Sequence, residues 1–382
     1  MDINFKTVPW IESGLGKIAV LYEICLKLNI NRPIIITDKG LYNLGYVDKI
    51  NAILKKNNIQ SSVYKDVLAD PPEYNIFEAV KLFHEFEADG VIGLGGGSSM
   101  DVAKAVSYFS INKIPIEKCY GVNKLVNKRS PLIQIPTTAG TGSELTPISI
   151  FTLKTEQKMG IVDPMLYADC AILDAELTLE LPKDITAYSG IDAMVHAIEA
   201  YTTKLKKNSI SDALAKKELS LLGANIRKVV EKPGNRIARE KMLLGSMLAG
   251  MAFSNAPCAG VHALAYPIGA KFHVPHGLSN SLVLSKVLKF NSLKVEKMYC
   301  EIATDCLPEL KNKSIKVEDF FLGIENLITD LKIPRYLKDV GINESDIPIL
   351  ARDAMKQQRL LINNPREINL NDAISIYKEA LM

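Results

Sequence analysis

The sequence has no uninterrupted hydrophobic run of about 20 residues, the length that a membrane-spanning helix needs, although 47% of its 382 residues are hydrophobic. Its first residues, MDINFKTVPWIESGLG, lack the basic stretch followed by an apolar stretch that marks a secretory signal peptide. The six cysteines are scattered and form no CxxC pair, which argues against a zinc ribbon or a disulfide framework. We therefore expect a cytoplasmic protein with reduced thiols and no membrane partner.

Neither basic nor acidic residues are in large excess. The 46 Lys and Arg residues nearly balance the 43 Asp and Glu residues, which leaves a net charge of +3. The basic clusters, such as residues 204–207 in KLKK, are short and typical of solvated surface. Because nucleic-acid binding needs a concentrated basic surface, we expect no nucleic-acid partner.

The pattern of hydrophobic residues changes near residue 180. Before that point, short β-branched runs alternate with helical patterns, which predicts a parallel sheet covered by helices. The predicted strands are 33–37, 62–64, 90–94 and 132–136, and the predicted helices are 42–57, 75–88 and 102–109. After it, helical patterns cover 183–201, 208–231, 236–253, 277–289, 316–329, 344–361 and 370–381, with no convincing strand. A chain of this length is expected to form two domains. We predict an α/β dinucleotide-binding domain over 1–180 and an all-helical metal-binding and substrate domain over 181–382.

A glycine-rich loop, GLGGGSSMD at 93–101, follows the third predicted strand and precedes a helix. Glycines let a ligand approach the backbone closely, and a helix N-terminus offers free N–H groups to an anion. Ser98, Ser99 and Asp101 are also plausible residues for starting a helix. The loop does not match GxGxxG and does not follow the first strand, so a structural turn explains it about as well as a phosphate cradle.

A second loop, PTTAGTGSE at 136–144, also follows a predicted strand and contains more hydroxyl groups and glycines than a plain turn needs. Two such loops at the carboxyl ends of parallel strands are typical of a nucleotide-binding sheet. Asp38 follows another strand, where a carboxylate accepts hydrogen bonds from ribose hydroxyls and repels a 2′-phosphate. This favours NAD over NADP, although Asp38 could instead cap a turn or helix.

Histidine is rare, with five residues in the chain, and four of them fall between 196 and 276. Asp192 and His196 are one helical turn apart, so their side chains point the same way. His262 and His276 would lie roughly 21 Å apart in one helix, so a shared ion requires a chain break, for which Pro275 is suited. One carboxylate and three imidazoles suit Fe(II), Zn(II) or a similar ion. Each histidine taken alone is better explained as an ordinary interior or surface residue, but the group of them beside a predicted nucleotide-binding domain favours a metal site.

The two remaining histidines receive different interpretations. His273 could be a further imidazole near the metal, a proton relay or a residue facing the substrate. His84 lies in KLFHEFEADG and is expected to be solvent-facing and structural.

Several segments together closely resemble the iron-containing (group III) alcohol dehydrogenases, a family with a dehydroquinate synthase-like fold. The matching segments are GGGSSMDVAKAV (95–106), IPTTAGTGSE (135–144), VDP (162–164), SGIDAMVHAIEAYTT (189–203), GVHALAYPIG (260–269), HVPHGLSNS (273–281) and NNPR (363–366). The resemblance implies an NAD(P)-dependent oxidoreductase of small alcohols and aldehydes, commonly a homodimer or higher homo-oligomer. It implies that hydride passes between the substrate and the nicotinamide while the metal polarises the substrate oxygen.

The resemblance also assigns roles to residues of this chain. The implied metal ligands are Asp192, His196, His262 and His276, and the implied catalytic proton carrier is His273. The implied cofactor contacts are Asp38, Gly95, Gly96, Gly97, Ser98, Asp101, Thr137, Thr138, Thr141, Ser143 and Lys158.

The chain departs from the family pattern at two places. Tyr266 occupies a position where some members have a proton-relaying histidine, which leaves His273 as the available substitute. The segment 70–72, Asp-Pro-Pro, replaces the Asn-Pro-Thr of many relatives, which could alter how the nicotinamide half is held.

Other functions fit parts of the pattern. A polyol dehydrogenase, such as a glycerol dehydrogenase, and a hydroxyacid–oxoacid transhydrogenase belong to the same superfamily. A lyase of the dehydroquinate synthase type would need basic residues for a phosphorylated acidic substrate, and the ligand segments carry no such cluster. A catalytically inactive nucleotide-binding scaffold is disfavoured because all four ligand positions are filled.

Overall fold

A computed structural model describes residues 3–155, 157–311 and 314–382 of the chain. These residues fall into two compact units. The α/β unit consists of Lys6–Thr138 and Gly142–Glu180, and the helical unit consists of Leu181–Met382, Ala139–Thr141 and the residues before Lys6.

The α/β unit is built from short strands and helices. Its strands are β1 (Ile11–Ser13), β2 (Pro33–Ile36), β3 (Ser62–Tyr64), β4 (Gly90–Gly95), β5 (Gly121–Val122), β6 (Leu132–Pro136), β7 (Ile148–Thr152), β8 (Lys158–Val162) and β9 (Cys170–Leu173). Its helices are α1 (Leu21–Lys27), α2 (Lys39–Asn43), α3 (Tyr46–Lys56), α4 (Glu73–Glu85) and α5 (Gly97–Phe109).

The main sheet of the α/β unit has six strands in the order β1-β9-β6-β4-β2-β3, and all of its pairings are parallel. Every residue of β2, β4, β6 and β9 is buried. Continuous burial of this kind is typical of strands in a parallel sheet whose two faces are both covered. The carboxyl ends of the adjacent strands β2, β4 and β6 therefore lie along one edge, where Asp38 and the two glycine-containing loops begin.

The structure departs from the sequence-based prediction in detail. The single helix predicted at 42–57 is two helices, because Gly45 adopts a left-handed backbone with φ of 77° between α2 and α3. The edge strand β1, the four-residue strand β9 and a second sheet of order β5-β8-β7 were not predicted. Strands β1 and β5, with three and two residues, are too short to show a period, whereas β7, β8 and β9 are about as long as strands that were predicted.

The helical unit contains long helices, and no strand is found in its described residues. Its helices are α6 (Lys183–Thr202), α7 (Ser209–Glu231), α8 (Arg236–Asn255), α9 (Gly260–Phe272), α10 (His276–Cys306), α11 (Val317–Asp330), α12 (Ile347–Met355), α13 (Gln358–Leu361) and α14 (Leu370–Leu381). A parallel-sheet α/β part followed by a helical part confirms the predicted fold class. Helix α9 was not predicted, and α10 runs 17 residues past the predicted end at 289, with non-helical backbone at Val295.

Helix α6 is the centre of the helical unit and is buried on almost every side. Most of its buried residues are apolar, as is expected of a helix in such a position. The adjoining chain is held close as well: a Cβ on Gly140 would lie 2.5 Å from the Cβ of Ser189, which explains why Ala139–Thr141 groups with this unit rather than with the sheet.

Two further findings concern the whole described chain. Among the described residues, no single helix is long and apolar enough to cross a bilayer. Helices α8 and α9, which meet at 107°, reach the required length and apolar composition only as a pair. All six cysteines are free thiols.

The start of α10 lies against the backbone of α6. A Cβ on Gly277 would lie 2.2 Å from the carbonyl oxygen of Tyr188 and 3.3 Å from the Cβ of Asp192. Only glycine permits this approach without a shift of one helix. The contact places His276, the first residue of α10, next to Asp192.

We expect Gly277→Ala to destabilise the helical unit by about 2 kcal/mol, as overpacking does in a dense core. The clash should outweigh the gain of about 1 kcal/mol that alanine usually brings to a helix. Calorimetric melting measures the change, and Gly234→Ala is the control because a Cβ at that position meets no atom within 4 Å. Equal melting temperatures for the two variants would contradict the prediction.

Candidate functional site

One face of α6 carries three buried ionisable side chains. Asp192, His196 and Glu199 are spaced by four and three residues, so they lie in a row along the helix. Burying a carboxylate is costly unless other groups compensate its charge. The partners of this row come from α9 and α10.

The chain break between α9 and α10 brings the other two predicted ligands to Asp192. Helix α9 ends at Phe272 and α10 begins after Pro275, which confirms the predicted break. The Nε2 atoms of His262 and His276 lie 3.7 Å and 3.4 Å from Oδ1 of Asp192. Asp192 and His262 are buried, whereas the His276 side chain is 29% exposed, so it is the member of the group that solvent reaches.

The four predicted ligand residues form one cluster, which we call the ligand group: Asp192, His196, His262 and His276. Their donor atoms all lie within 4.8 Å of one another. Donors that are each about 2.1 Å from one ion lie about 3.4 Å apart in a tetrahedral site, close to the two distances above. The donor set of one carboxylate and three imidazoles fits a divalent transition metal.

The electrostatics of two members of the ligand group, Asp192 and His196, favour metal-binding protonation states. Burial lowers the pKa of His196 to about 3, so its imidazole is neutral. Burial by itself would raise the pKa of Asp192, but three neighbouring imidazoles, of which His276 contributes most, and the Asn280 amide lower it overall. Asp192 is therefore an anion and His196 is neutral, which are the states in which these two residues bind a cation.

Two residues that the sequence reasoning missed support the ligand group. Asn280 donates from Nδ2 to Oδ1 of Asp192 at 2.6 Å, and its amide lies 3.3 Å from Nε2 of His262. Phe253 stacks on His196 with ring centres 4.2 Å apart. Asn280 follows His276 by four residues, one turn along α10, and that spacing could have revealed it.

Glu199 is the third residue that was missed. Its Oε2 lies 2.6 Å from Nδ1 of His262, on the side of the ring opposite the ligand group. Burial acts to lower the pKa of His262, but Cys258 and Glu199 act to raise it, and the raising effect is the larger. The spacing of Glu199 from His196, three residues along α6, was a readable signal.

His273 lies outside the ligand group. It is exposed at the C-terminal end of α9, where its φ of 54° ends the helix in a left-handed conformation. Tyr266 lies beside the ligand group: its ring centre is 5.8 Å from that of His276 and 6.5 Å from that of His262. His84 is exposed on α4 of the other unit.

In the α/β unit, Asp38 and the starts of the two loops lie at the carboxyl ends of the neighbouring strands β2, β4 and β6. Asp38 caps α2 by accepting the N–H of Leu41 on Oδ1 at 3.0 Å. The two loops are joined by a hydrogen bond of 3.0 Å from the Thr137 N–H to the Gly95 carbonyl. Gly95 has a φ of 147°, and a Cβ there would lie 2.8 Å from Ser99, so a side chain is excluded.

The glycine-rich loop is shorter than predicted. Gly96 is the N-cap of α5, and Gly97 and Ser98 are its first helical residues. Their N–H groups therefore belong to a helix N-terminus, which is suited to bind phosphate. Thr138 has a buried hydroxyl with no hydrogen-bond partner. Thr141 belongs to the helical unit.

A buried lysine, which the sequence reasoning also missed, ties α5 to the second loop. Lys104 donates to the hydroxyls of Ser143 and Thr146 at 2.6 Å and 3.2 Å and to the Ile148 carbonyl at 2.6 Å. Asp101 accepts from the Ser143 hydroxyl at 2.6 Å. Asp101 and Ser143 are therefore engaged inside the unit, where they fix the shape of the loop.

Lys158 and Asp70 form an ion pair in the same unit. Nζ of Lys158 lies 2.7 Å from Oδ1 of Asp70. Lys158 is buried, whereas the Asp70 side chain is 40% exposed. Asp70, where the chain departs from the family pattern, therefore contacts Lys158, which the resemblance assigns to the cofactor.

Comparison with known proteins defines the class. The sequence-family model of the iron-containing alcohol dehydrogenases matches residues 9–175. The sequence-family model of the C-terminal part of the Fe-containing alcohol dehydrogenase family matches residues 186–381. Long-chain-alcohol dehydrogenase 1 of Geobacillus thermodenitrificans is 36% identical over 97% of this chain and 95% of its own length. These matches confirm the resemblance found in the sequence.

Solved structures agree. A 1,3-propanediol oxidoreductase superposes with a TM-score of 0.96 at 31% identity over 100% of both chains. A sulfoacetaldehyde reductase from Bifidobacterium kashiwanohense in complex with NAD+ gives 0.90 at 28% identity, covering 100% of this chain and 99% of that one. The fold and site thus define a metal-dependent oxidoreductase that transfers a hydride between NAD(P) and an alcohol or aldehyde. The chain belongs to the iron-containing alcohol dehydrogenase family.

Glu144, at the end of the second loop, generates a prediction about pH. Its carboxylate is buried with no hydrogen-bond partner for either oxygen, and burial raises its pKa from 4.5 to about 7. Because the folded pKa is raised, the associated stability is fully present below pH 4.5 and is lost as pH rises through 7, by about 3 kcal/mol. We expect Glu144→Gln to remove this loss.

Urea unfolding at about pH 5 and about pH 8 measures the effect. Glu180→Gln is the control because Glu180 is exposed, and it should keep the pH dependence of the unchanged protein. The interpretation is wrong if Glu144→Gln keeps that dependence too.

Proposed function

We propose that this protein is an iron- and NAD-dependent dehydrogenase that interconverts small or medium aliphatic alcohols or diols with their aldehydes. The observation that carries the proposal is the ligand group, which gathers one carboxylate and three imidazoles from three helices. Iron is proposed rather than zinc because the family is the iron-containing one. The proposal of a small alcohol or diol rests on relatives named for 1,3-propanediol.

We assign roles to residues of the helical unit as follows. Asp192, His196, His262 and His276 would hold the ion, which as a Lewis acid would polarise the substrate oxygen. Asp192 stays ionised and His196 neutral because of their surroundings. His276 is the ligand on the solvent-reached side, so we expect substrate to approach past it. We propose that His273, exposed three residues earlier, exchanges the proton with solvent.

For the α/β unit we propose binding of NAD, which accepts or supplies the hydride. The N-terminus of α5 offers N–H groups to the pyrophosphate, and the unpartnered Thr138 hydroxyl is available as a donor. The predicted contacts Gly95, Gly96, Gly97, Ser98, Thr137, Thr141 and Lys158 remain part of the proposal. Asp101 and Ser143 act by shaping the loop.

The organisation of the chain is proposed to follow the two units. Residues 1–180 would bind the dinucleotide and 181–382 the metal and substrate. A cytoplasmic location and a homodimeric or larger assembly remain predictions. The free cysteines are consistent with a reducing compartment.

The decisive test is metal-dependent turnover. Protein stripped with a chelator and reloaded anaerobically with Fe(II) or Zn(II) is assayed with NAD and NADP. The substrates include short alcohols, diols and their aldehydes, and a hydroxyacid with an oxoacid acceptor distinguishes a transhydrogenase. We expect Fe(II)-dependent activity that His276→Ala lowers by about 1000-fold, which corresponds to about 4 kcal/mol of transition-state stabilisation.

The control is His84→Ala, which removes an exposed histidine remote in sequence from the ligand group and should keep full activity. Undiminished turnover by metal-free protein would refute the metal-dependent mechanism. Loss of activity in both histidine variants would show that the assay reports on folding.

Asp38 generates a prediction about cofactor choice. Its carboxylate would repel the 2′-phosphate of NADP. We expect Asp38→Ser, in which serine keeps the helix cap, to raise the ratio of kcat/KM for NADP to that for NAD by about 10- to 100-fold. Steady-state kinetics with both cofactors measure this ratio, and Asp48→Asn, an exposed change on α3, should leave it unchanged. An unaltered ratio in Asp38→Ser would mean that Asp38 serves only as a cap.

A further inference from the structure

We propose that Glu199 is a positioning residue that fixes the ring orientation and the tautomer of His262 so that its Nε2 faces the ion. The inference rests on the proposed metal site and extends it to a residue that does not touch the ion.

The contact between Glu199 and His262 is short and buried. Oε2 of Glu199 lies 2.6 Å from Nδ1 of His262, and the two side chains are 4% and 3% exposed. A hydrogen bond to a carboxylate at this depth is strong because water does not compete for it. Nδ1 therefore carries the proton and donates to Glu199. The lone pair of Nε2 then points towards Asp192, on the opposite side of the ring.

The same carboxylate also fixes the backbone that carries His262. Oε2 accepts the N–H of Ala259 at 3.0 Å, and Oε1 accepts the N–H of Val261 at 2.6 Å. Ala259 is the N-cap of α9 and its side chain makes no capping hydrogen bond. Glu199 thus supplies the cap from α6, satisfying N–H groups that a helix start leaves unpaired. One side chain sets the position of the helix and the orientation of its ligand.

A different reading of these residues is a second metal site. Glu199, Cys258 and His262 have donor atoms within 4.8 Å of one another. A cation there would displace the Nδ1 proton of His262 and compete with two backbone N–H groups for the Glu199 oxygens. Because the carboxylate already accepts three hydrogen bonds, the orienting role accounts for all of its contacts without an ion.

The tautomer argument makes Glu199→Gln informative. A glutamine amide has one acceptor and one donor end, so it cannot satisfy Nδ1–H and both backbone N–H groups. With its NH2 towards His262, it favours the tautomer protonated on Nε2, which cannot bind the ion. With its oxygen there, the NH2 opposes the Val261 N–H and disturbs the start of α9.

The experiment measures metal affinity directly. Chelator competition gives the dissociation constant of Fe(II) and of Co(II) for the full-length protein, and the Co(II) visible spectrum reports the ligand field. We expect Glu199→Gln to weaken metal binding by about 10- to 100-fold and to change the Co(II) spectrum. A Co(II)–thiolate charge-transfer band that vanishes in Cys258→Ser would instead support the second site and overturn the proposal.

The matched control is Asn364→Ala. Oδ1 of Asn364 accepts the Gly260 N–H at 3.1 Å, so this change weakens the start of the same helix without touching the His262 ring. It should lower the melting temperature of the metal-free protein and leave the dissociation constant within about threefold, well below the effect expected of an orienting partner. If Glu199→Gln behaves like Asn364→Ala in both measurements, Glu199 is only a cap and the proposal fails.

Two further arms keep the result interpretable. If Glu199→Gln does not fold, Glu199→Asp retains the charge at a shorter reach and should weaken metal binding to a smaller extent; unchanged affinity would overturn the proposal. If the unaltered protein binds no metal, the proposed function fails first. Tight binding by the unaltered protein and by Glu199→Gln alike refutes only the role of Glu199.

Discussion

The burial of Asp192 is the constraint on which the helical unit depends. A carboxylate in the buried part of a helix is tolerable only if other groups compensate its charge. The structure supplies three imidazoles and the Asn280 amide around it. This arrangement is more favourable with a cation than without one, because imidazole nitrogens can otherwise compensate an anion only by holding protons. The ligand group therefore fits a bound metal ion in its electrostatics as well as in its geometry.

Three different devices bring the ligands together. Asp192 and His196 lie on the same face of α6 simply because they are four residues apart on one helix. His276 needs Gly277, whose missing side chain lets α10 reach the backbone of α6. His262 needs Glu199, which contacts both its ring and the start of its helix. Glu199 also lies on α6, so in the proposed site a single helix provides two ligands and orients a third. Precision in a metal site depends on such supporting contacts as much as on the ligands.

The α/β unit uses a comparable arrangement around a buried cation. Lys104 is fully buried and holds Ser143 together with the start of β7. The glycine loop and the second loop are also joined through Gly95 and Thr137. Two loops that follow different strands are thereby held as one rigid edge of the sheet. If this edge binds a dinucleotide as proposed, its preorganisation lowers the ordering cost of binding.

The sequence by itself determined the fold class, the family and the candidates for the ligand group. Helical period, the forced break before His276 and the loops after the strands are local features. Only the tertiary structure decided the roles of Glu199, Asn280 and Lys104, the exclusion of His273 from the ligand group, and the Lys158–Asp70 pair. Their functions depend on contacts between residues up to 88 positions apart. A local sequence pattern cannot predict contacts between residues that far apart. The role of a buried polar side chain depends on the partners that folding brings to it.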